Sequence, residues 1–150
     1  MKRKLTFETV PEECWYSNLR SALSAEQWDI VRKDAYRRYH YRCAICGAGG
    51  RMEAHEKWSY DISSAVQKLE DVIALCHACH QVKHISRTQL MGKGAEAEEH
   101  YMRVNGCTQS EYHADLQALN EHYRALNAVE NWITDLTFLR EKYGFLPRIR

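Results

Sequence analysis

The stretch CAICGAGGRMEAHEKWSYDISSAVQKLEDVIALCHACHQVKH, residues 43–84, decides the fold. It opens with the pair Cys43 and Cys46 and closes on a second pair, Cys76 and Cys79. A two-residue spacer lets both sulfurs of a pair face one metal ion, and two such pairs supply the four thiolates that zinc binds tetrahedrally. The sequence therefore predicts a structural Zn²⁺ site that joins two turns of the chain.

Three histidines in or beside this stretch remain for other chemistry. His80 and His84 stand four residues apart, so on a helix beginning near Cys79 their rings project from one face. His55 lies between the cysteine pairs, on a predicted strand. Three imidazoles on two elements form a self-consistent set of ligands for a second divalent metal.

The same stretch resembles the HNH nuclease motif, which has a ββα-metal core and pairs of zinc-ribbon cysteines. The flanking segments TVPEECWYSNLRSALSAEQWDIVRKDAYRRYHYRCAICG and RVNG…ENWITDLTFL are similar to those of a small bacterial and plasmid-borne group of HNH proteins. The resemblance implies an α+β fold, with a zinc-stabilised ββα-metal (HNH/His-Me finger) core embedded in flanking α-helices. It also implies a metal-dependent endonuclease that hydrolyses DNA phosphodiester bonds.

The family pattern assigns two catalytic positions on the first strand of the motif. The first is a histidine or aspartate that binds the metal, and the next is usually the histidine that acts as general base; here they read His55 and Glu56. In this register Glu56 deprotonates water, which a carboxylate can do if its pKa is raised toward neutrality. In a register slipped by one residue His55 is the base, Ala54 leaves the ligand position empty, and the two later histidines hold the metal with Glu53 or Glu56 in support. The first register is favoured because it uses all three histidines together.

The middle asparagine of the family pattern falls on Asp71 here. An aspartate can accept a hydrogen bond from an imidazole N–H or bind a hard metal, so we expect Asp71 at the catalytic site. It can equally be a turn residue. The candidates for the second metal, at the catalytic site, are Mg²⁺, Mn²⁺, Ni²⁺ and Zn²⁺.

Charge is distributed unevenly along a chain whose net charge is only +1. Between residues 31 and 51 there are six basic side chains against Asp34 alone, which predicts a surface that contacts DNA phosphates. From residue 95 onward acidic side chains outnumber basic ones, so that part should face solvent or a protein partner. The six basic residues are Arg32, Lys33, Arg37, Arg38, Arg42 and Arg51.

Composition is that of an ordinary globular protein of 150 residues, with 45% hydrophobic and 27% charged residues. We expect a single domain with three parts: an N-terminal arm and basic helix (1–42), the zinc motif (43–86) and a helical C-terminal part (95–150). No apolar run suits a membrane span, and the start MKRKLTFETV lacks the apolar stretch of a secretory signal. A cytoplasmic location is expected, which agrees with the isolated positions of Cys14 and Cys107.

Local patterns predict most of the secondary structure. Residues 1–23 form an apolar arm that needs a groove to cover it, residues 57–70 form a loop with one helical turn, and residues 86–96 form a linker. Helices and strands follow from periodicity and capping signals. The predicted helices are 25–40, 95–104, 110–128 and 131–143, with another from His80, and the predicted strands are 51–56 and 71–75.

A second class of function fits the same cysteines. A non-catalytic zinc-ribbon module that binds nucleic acid or protein would keep the zinc site without the catalytic base. The departures from the family pattern at Glu56 and Asp71 favour this alternative.

Overall fold

The computed structural model describes residues 2–147 of an α+β fold. Met1 and residues 148–150, which the predicted single domain includes, lie outside the described residues. The strands are β1 (Glu53–Asp61), β2 (Val66–Leu75) and β3 (Ile133–Asp135). The helices are α1 (Leu19–Ala22), α2 (Ala25–Arg38), α3 (His77–Lys83), α4 (Ile85–Leu90), α5 (Gly94–Asn105), α6 (Gln109–Asn127) and α7 (Thr137–Tyr143), with a 3₁₀ turn at Glu12–Cys14.

A three-stranded sheet in the order β1-β2-β3 forms the centre of the structure. Strands β1 and β2 make a long antiparallel hairpin, and β3 pairs in parallel with the start of β2. The hairpin turn is stabilised by Asp61, whose carboxylate accepts hydrogen bonds from the backbone N–H groups of Ser63 and Ser64. The hairpin leads directly into α3, which begins two residues after β2 ends.

The sheet separates two apolar cores because successive side chains of a strand point to opposite faces. On β2, Val72 is buried in a core with α1, α2 and α7, whereas its neighbour Ile73 is buried in a core with α3, α5 and α6. On β1, His55 lies opposite Ile73 and Glu56 lies opposite Val72. These two adjacent residues therefore belong to different faces of the sheet.

Capping residues set the ends of several helices where the sequence predicts them. The Ser24 side chain accepts a hydrogen bond from Gln27 N–H, and the Gln27 side chain accepts one from Ser24 N–H, so α2 begins at residue 25. Thr108 and Glu111 make the same reciprocal pair at the start of α6. Gly106, with φ +61°, ends α5. These helix predictions are confirmed to within two residues.

The predicted loop between the strands is wrong. Residues 57–61 and 66–70 continue the hairpin well beyond the short strands that the sequence predicts. Half of the side chains in this extension are exposed, and they alternate with half-buried or buried ones along each strand. The extension therefore has the period of two of a strand but no continuous apolar run. The buried side chain of Gln67 helps to hold it, because Gln67 Nε2 donates to Tyr60 Oη at 3.2 Å across the hairpin.

Two predictions in the C-terminal half also need correction. Residues 86–90 of the predicted linker belong to α4 and residues 94–96 to α5, so that 91–93 alone connect the two helices. Helix α4 packs on the core because Ile85 and Thr88 are buried and Thr88 Oγ1 donates to the carbonyl of Gln81. The helix predicted for residues 131–143 begins only at Thr137. Residues 133–135 are β3 instead, which the sheet draws into pairing through a hydrogen bond from Ile133 N–H to the carbonyl of Ala65.

The N-terminal arm packs onto the core, as predicted. Leu5 is fully buried, and its backbone N–H and C=O both bond to the side-chain amide of Asn105 on α5. Phe7 stacks on Tyr101 of α5 with ring centroids 4.5 Å apart. The arm therefore lies on α5, and it continues to the end of α3, where Glu8 N–H donates to the carbonyl of Lys83.

The two-core arrangement makes Leu69 of β2 a test of the fold. Leu69 is 1% exposed, and Leu69→Ala should lower the free energy of unfolding by about 2–5 kcal/mol because a cavity remains. Leu90 is 89% exposed, and Leu90→Ala should change it by less than about 0.5 kcal/mol. Urea unfolding monitored by circular dichroism measures both values, and equal effects would contradict the described core.

Candidate metal centres

The four motif cysteines meet at the junction of the first cysteine turn and α3. One sulfur from each of Cys43, Cys46, Cys76 and Cys79 lies within 4.8 Å of the other three. Cys46 Sγ and Cys76 Sγ are 3.6 Å apart, a pairing between the two Cys-x-x-Cys turns. This geometry fits a tetrahedral structural metal ion such as zinc.

Local backbone geometry accounts for the two turns. Gly47 has φ +76°, a conformation that glycine adopts without strain, and its N–H donates to the Cys43 carbonyl to close the first turn. A hydrogen bond from Ala44 N–H to the Ala74 carbonyl fixes this turn to the end of β2. Cys76 occupies the N-cap position of α3, and its sulfur accepts from Cys79 N–H.

Electrostatics within the thiol group favour a bound cation. The Cys79 thiol and nearby backbone N–H groups stabilise the Cys43 thiolate and, against the effect of burial, lower the pKa of Cys43 to about 4. Burial and the neighbouring Cys43 charge instead raise the pKa of Cys76 to about 11. Four sulfurs this close cannot all ionise unless a cation balances them. His100 Nε2 lies 3.2 Å from Cys79 Sγ, so this residue, which the sequence does not single out, is in reach of the site.

The three motif histidines form a second cluster between β1 and α3. A ring nitrogen from each of His55, His80 and His84 lies within 4.8 Å of the others, and the ring centroids are 5.2, 5.3 and 4.8 Å apart. His55 is 2% exposed, His80 is half-buried and His84 is at the surface. The cluster therefore opens to solvent on the His84 side.

Two carboxylates bond to the outer nitrogens of this cluster. Glu8 Oε1 lies 2.7 Å from His55 Nε2, and Glu53 Oε1 lies 2.7 Å from His80 Nδ1. These contacts leave Nδ1 of His55 and Nε2 of His80 for another partner, and His84 Nε2 is 3.2 Å from that His80 Nε2. Histidines that bind metals commonly donate their other N–H to a carboxylate in this way.

The protonation states match those that metal coordination requires. His84 is exposed as a residue, but protein atoms around its ring partly desolvate it and, together with the neighbouring histidines, lower its pKa to about 4. Burial also lowers the pKa of His80. Burial alone would raise the pKa of Glu8, but His55 and Lys83 outweigh it and hold the pKa at about 2. For Glu53, the hydrogen bonds of His80 and His77 likewise outweigh burial and lower the pKa. At neutral pH His80 and His84 thus present neutral imidazole lone pairs, beside the ionised carboxylates of Glu8 and Glu53.

Glu56, the base that the sequence predicts, faces away from the histidines. Its carboxylate accepts hydrogen bonds from Leu19 N–H and from Trp58 Nε1 on the α1 side of the sheet. Burial there raises the pKa of Glu56, but strand alternation directs the group into the other core. The structure does not bring Glu56 to the cluster.

Asp71 is also directed elsewhere. Its carboxylate accepts hydrogen bonds from Arg38 Nη2 at 3.3 Å, from Tyr39 Oη at 3.1 Å and from Val72 N–H at 2.7 Å. These contacts attach β2 to the end of α2. Asp71 is therefore a joint between helix and sheet in this structure, and the expectation that it lies at the catalytic site is wrong.

Half of the predicted basic surface is neutralised. Arg32 pairs with Asp29, and both Arg37 and Arg38 pair with Asp34. Arg38 also donates to the Val72 carbonyl, so its role is structural. The sequence count missed Asp29 because it lies just before the window.

The other three predicted contacts of this surface remain open to solvent. Lys33, Arg42 and Arg51 are exposed, and within residues 2–147 none of them forms an ion pair. Arg42 and Arg51 flank the first cysteine turn. Arg37 is also exposed despite its ion pair, and DNA contact by any of the six residues stays a prediction.

Sequence reasoning missed Glu8 entirely and named Glu53 only as an alternative support. Glu8 lies 47 positions from His55, and no spacing or motif connects them. Glu53 could have been found, because it stands two residues before His55 and a strand places both on one face.

Comparisons with models of known protein families, with curated proteins and with solved structures gave no match to this chain. The resemblance to HNH nucleases therefore stays a prediction. In the part of the chain from residue 2 to residue 147, no helix has the length and apolarity needed to cross a membrane.

The cysteine geometry predicts one tightly held zinc ion per chain at the four-sulfur site. Cys76→Ala should lose this ion and unfold the region around it, because such sites contribute folding energy directly. Cys14→Ala removes a buried thiol outside the site and should keep the zinc content of the parent. Elemental analysis and thermal melting test both variants; a Cys76→Ala protein with the parent's zinc content and melting temperature would contradict the assignment.

Proposed function

We propose that this protein is a metal-dependent endonuclease of the HNH type that hydrolyses DNA phosphodiester bonds. In this proposal the cysteine site is structural, and the cluster of His55, His80 and His84 holds the catalytic metal. The hairpin β1–β2 followed by α3 corresponds to the ββα-metal core of the family.

One observation carries the proposal. His55 and His80 are each bonded to a carboxylate, and they lie beside His84, which faces solvent. Buried imidazoles also gain stability from acidic partners, but two carboxylates that engage the outer nitrogens and leave Nδ1 of His55 and Nε2 of His80 for another partner reproduce the arrangement common around metal-binding histidines. The open His84 side gives a phosphate group access to the cluster. A site that only stabilises the fold is usually closed, as the four-cysteine site is.

The donor set favours particular metals among those that the sequence leaves open. Imidazole suits Zn²⁺ and Ni²⁺, whereas Mg²⁺ and Mn²⁺ prefer carboxylate, carbonyl and water oxygens. We therefore expect a transition metal in the histidine cluster. Such an ion would supply a Lewis acid for the phosphate oxygens and make a bound water more acidic.

Residues of the chain itself account for the rest of the site. His55, His80 and His84 supply ring nitrogens from two elements, and Glu53 keeps the outer nitrogen of His80 engaged. Since Glu56 is on the other face of the sheet, no role as general base is proposed for it. His55 is assigned as a ligand.

The exposed Lys33, Arg42 and Arg51 are proposed to contact DNA phosphates. Arg42 and Arg51 lie on either side of the first cysteine turn, whose backbone is fixed to the end of β2 next to α3. Phosphate contacts of this kind position DNA without reading its sequence.

The non-catalytic binding module remains the second candidate. The engagement of both Glu56 and Asp71 in structural hydrogen bonds favours it, because two residues expected to act in catalysis serve the fold instead. In this case the protein would bind DNA in a salt-sensitive manner without cleaving it.

Plasmid nicking with added Zn²⁺, Ni²⁺, Mn²⁺, Co²⁺ or Mg²⁺ tests the proposal. The parent should cleave the plasmid, and His80→Ala should lose both the second metal and cleavage. The control is His122→Ala, an exposed residue of α6, which should behave as the parent. His55→Ala should lose the second metal, whereas a variant that keeps the metal and is inactive would make His55 the base. If the parent binds DNA but cleaves it with none of these metals, the result would favour the non-catalytic binding module.

Glu56→Gln distinguishes the predicted base from its structural role. A general base contributes about 10²–10⁴-fold to the rate, and its replacement by glutamine would remove that contribution. We expect instead that Glu56→Gln cleaves at the rate of the parent, because the amide oxygen can still accept from Leu19 N–H and Trp58 Nε1. If folded Glu56→Gln cleaves DNA more slowly than the parent, Glu56 has a catalytic role and this expectation is wrong.

The proposed phosphate contacts predict a change in salt dependence. Arg42→Gln with Arg51→Gln should weaken DNA binding and reduce the slope of log K against log salt by about two. The matched control is Arg124→Gln with Arg140→Gln, which removes the same charge from the acidic C-terminal part and should leave the slope unchanged. Equal slopes for both double variants would place the binding surface elsewhere.

A further inference from the structure

We propose that Glu8, on the N-terminal arm, is a positioning residue for His55 and determines which nitrogen of this imidazole binds the metal. The proposal rests on the metal site of the proposed function. It assigns to the N-terminal strap, residues 3–8, the role of completing a site whose ligands all come from the motif.

The contact between Glu8 and His55 is short and part-buried: its histidine end is enclosed, whereas the Glu8 side chain is 32% exposed. Glu8 Oε1 is 2.7 Å from His55 Nε2, and the His55 side chain is 3% exposed. An ionised carboxylate can only accept a hydrogen bond, so Nε2 must carry the proton. The lone pair of His55 is then on Nδ1, the nitrogen that Glu8 leaves available to the cluster.

Lys83 fixes the second oxygen of Glu8. Lys83 Nζ lies 3.0 Å from Glu8 Oε2, and it also donates to Thr6 Oγ1 at 2.9 Å. The Lys83 side chain is only 8% exposed, although lysine is rarely buried unless it is paired. Each carboxylate oxygen of Glu8 therefore has one donor, and neither is free to rotate away from His55.

The backbone of the strap is fixed on both sides of Glu8. Glu8 N–H donates to the Lys83 carbonyl at 3.3 Å, at the end of α3 and next to His84. Upstream, Leu5 is bonded to Asn105 and Arg3 pairs with Asp115. The strap thus connects the histidine cluster to α5 and α6 through contacts that are independent of the motif.

Carboxylates that orient a metal-binding histidine typically change metal affinity 10–100-fold when they are removed. Simple removal of Glu8 would leave Lys83 as an unpaired buried charge, which destabilises proteins for reasons unrelated to metal binding. Variants that remove both charges together separate the two effects.

The experiment compares two double variants. Glu8→Leu with Lys83→Met removes the acceptor for His55, whereas Glu8→Gln with Lys83→Met keeps one oxygen that can accept from Nε2. Glu12→Gln, an exposed change on the same arm, serves as control. Each protein is loaded with one equivalent of Zn²⁺ for the cysteine site and titrated with Co²⁺, monitored by visible absorption.

We expect the variant that combines Glu8→Leu with Lys83→Met (the Leu/Met variant) to bind Co²⁺ about 10–100-fold more weakly than the parent, and to retain the zinc of the cysteine site. The Gln/Met variant should recover most of the affinity, and Glu12→Gln should match the parent. Equal Co²⁺ affinity in the parent and in both double variants would overturn the proposal. So would ¹⁵N NMR of the zinc-loaded parent that places the His55 proton on Nδ1.

Failure of this inference is separable from failure of the proposed nuclease function. If the parent binds Co²⁺ in the histidine cluster and Glu8 affects its affinity, the positioning role holds even when no DNA is cleaved. If the parent cleaves DNA and the Leu/Met variant binds metal as tightly as the parent, only the role of Glu8 is lost.

Discussion

The meeting of four cysteine sulfurs is the constraint on which the rest of the structure depends. Cys43 and Cys46 follow α2, and Cys76 and Cys79 stand at the start of α3, so one metal ion would join the basic helix, the end of the hairpin and the histidine-bearing helix. Without a cation, four thiols within 4.8 Å of one another cannot all ionise. The direction of α3 relative to β1, and therefore the distance of His80 and His84 from His55, follows from this junction.

Alternation along β1 then decides which residues enter the histidine site. Because successive side chains of a strand point to opposite faces of the sheet, Glu53 and His55 lie on the face that packs against α3, and Glu56 lies on the face that packs against α1. A family pattern read along the chain treats His55 and Glu56 as neighbours, whereas the sheet places them in different cores. The acidic groups at the cluster are consequently Glu53, from the same face of β1, and Glu8, which approaches from outside the motif.

Features encoded by local spacing could be predicted from the sequence. The cysteine and histidine clusters follow from short intervals, and the ends of α2 and α6 follow from reciprocal side-chain caps. Features that depend on distant segments could not. Strand β3 exists because residues 133–135 reach the edge of β2, and the Glu8–His55 contact spans 47 positions. A charge count likewise does not show that Arg38 donates to Asp71, 33 positions away.

The most direct test of this account is a crystal structure of the zinc-loaded protein with anomalous diffraction recorded at the zinc edge. The account predicts two peaks: one among the four sulfurs at about 2.3 Å, and one at about 2.0–2.1 Å from nitrogens of His55, His80 and His84. A single peak among the sulfurs, with the imidazoles bound only to Glu8 and Glu53, would contradict a metal-dependent reaction at this cluster.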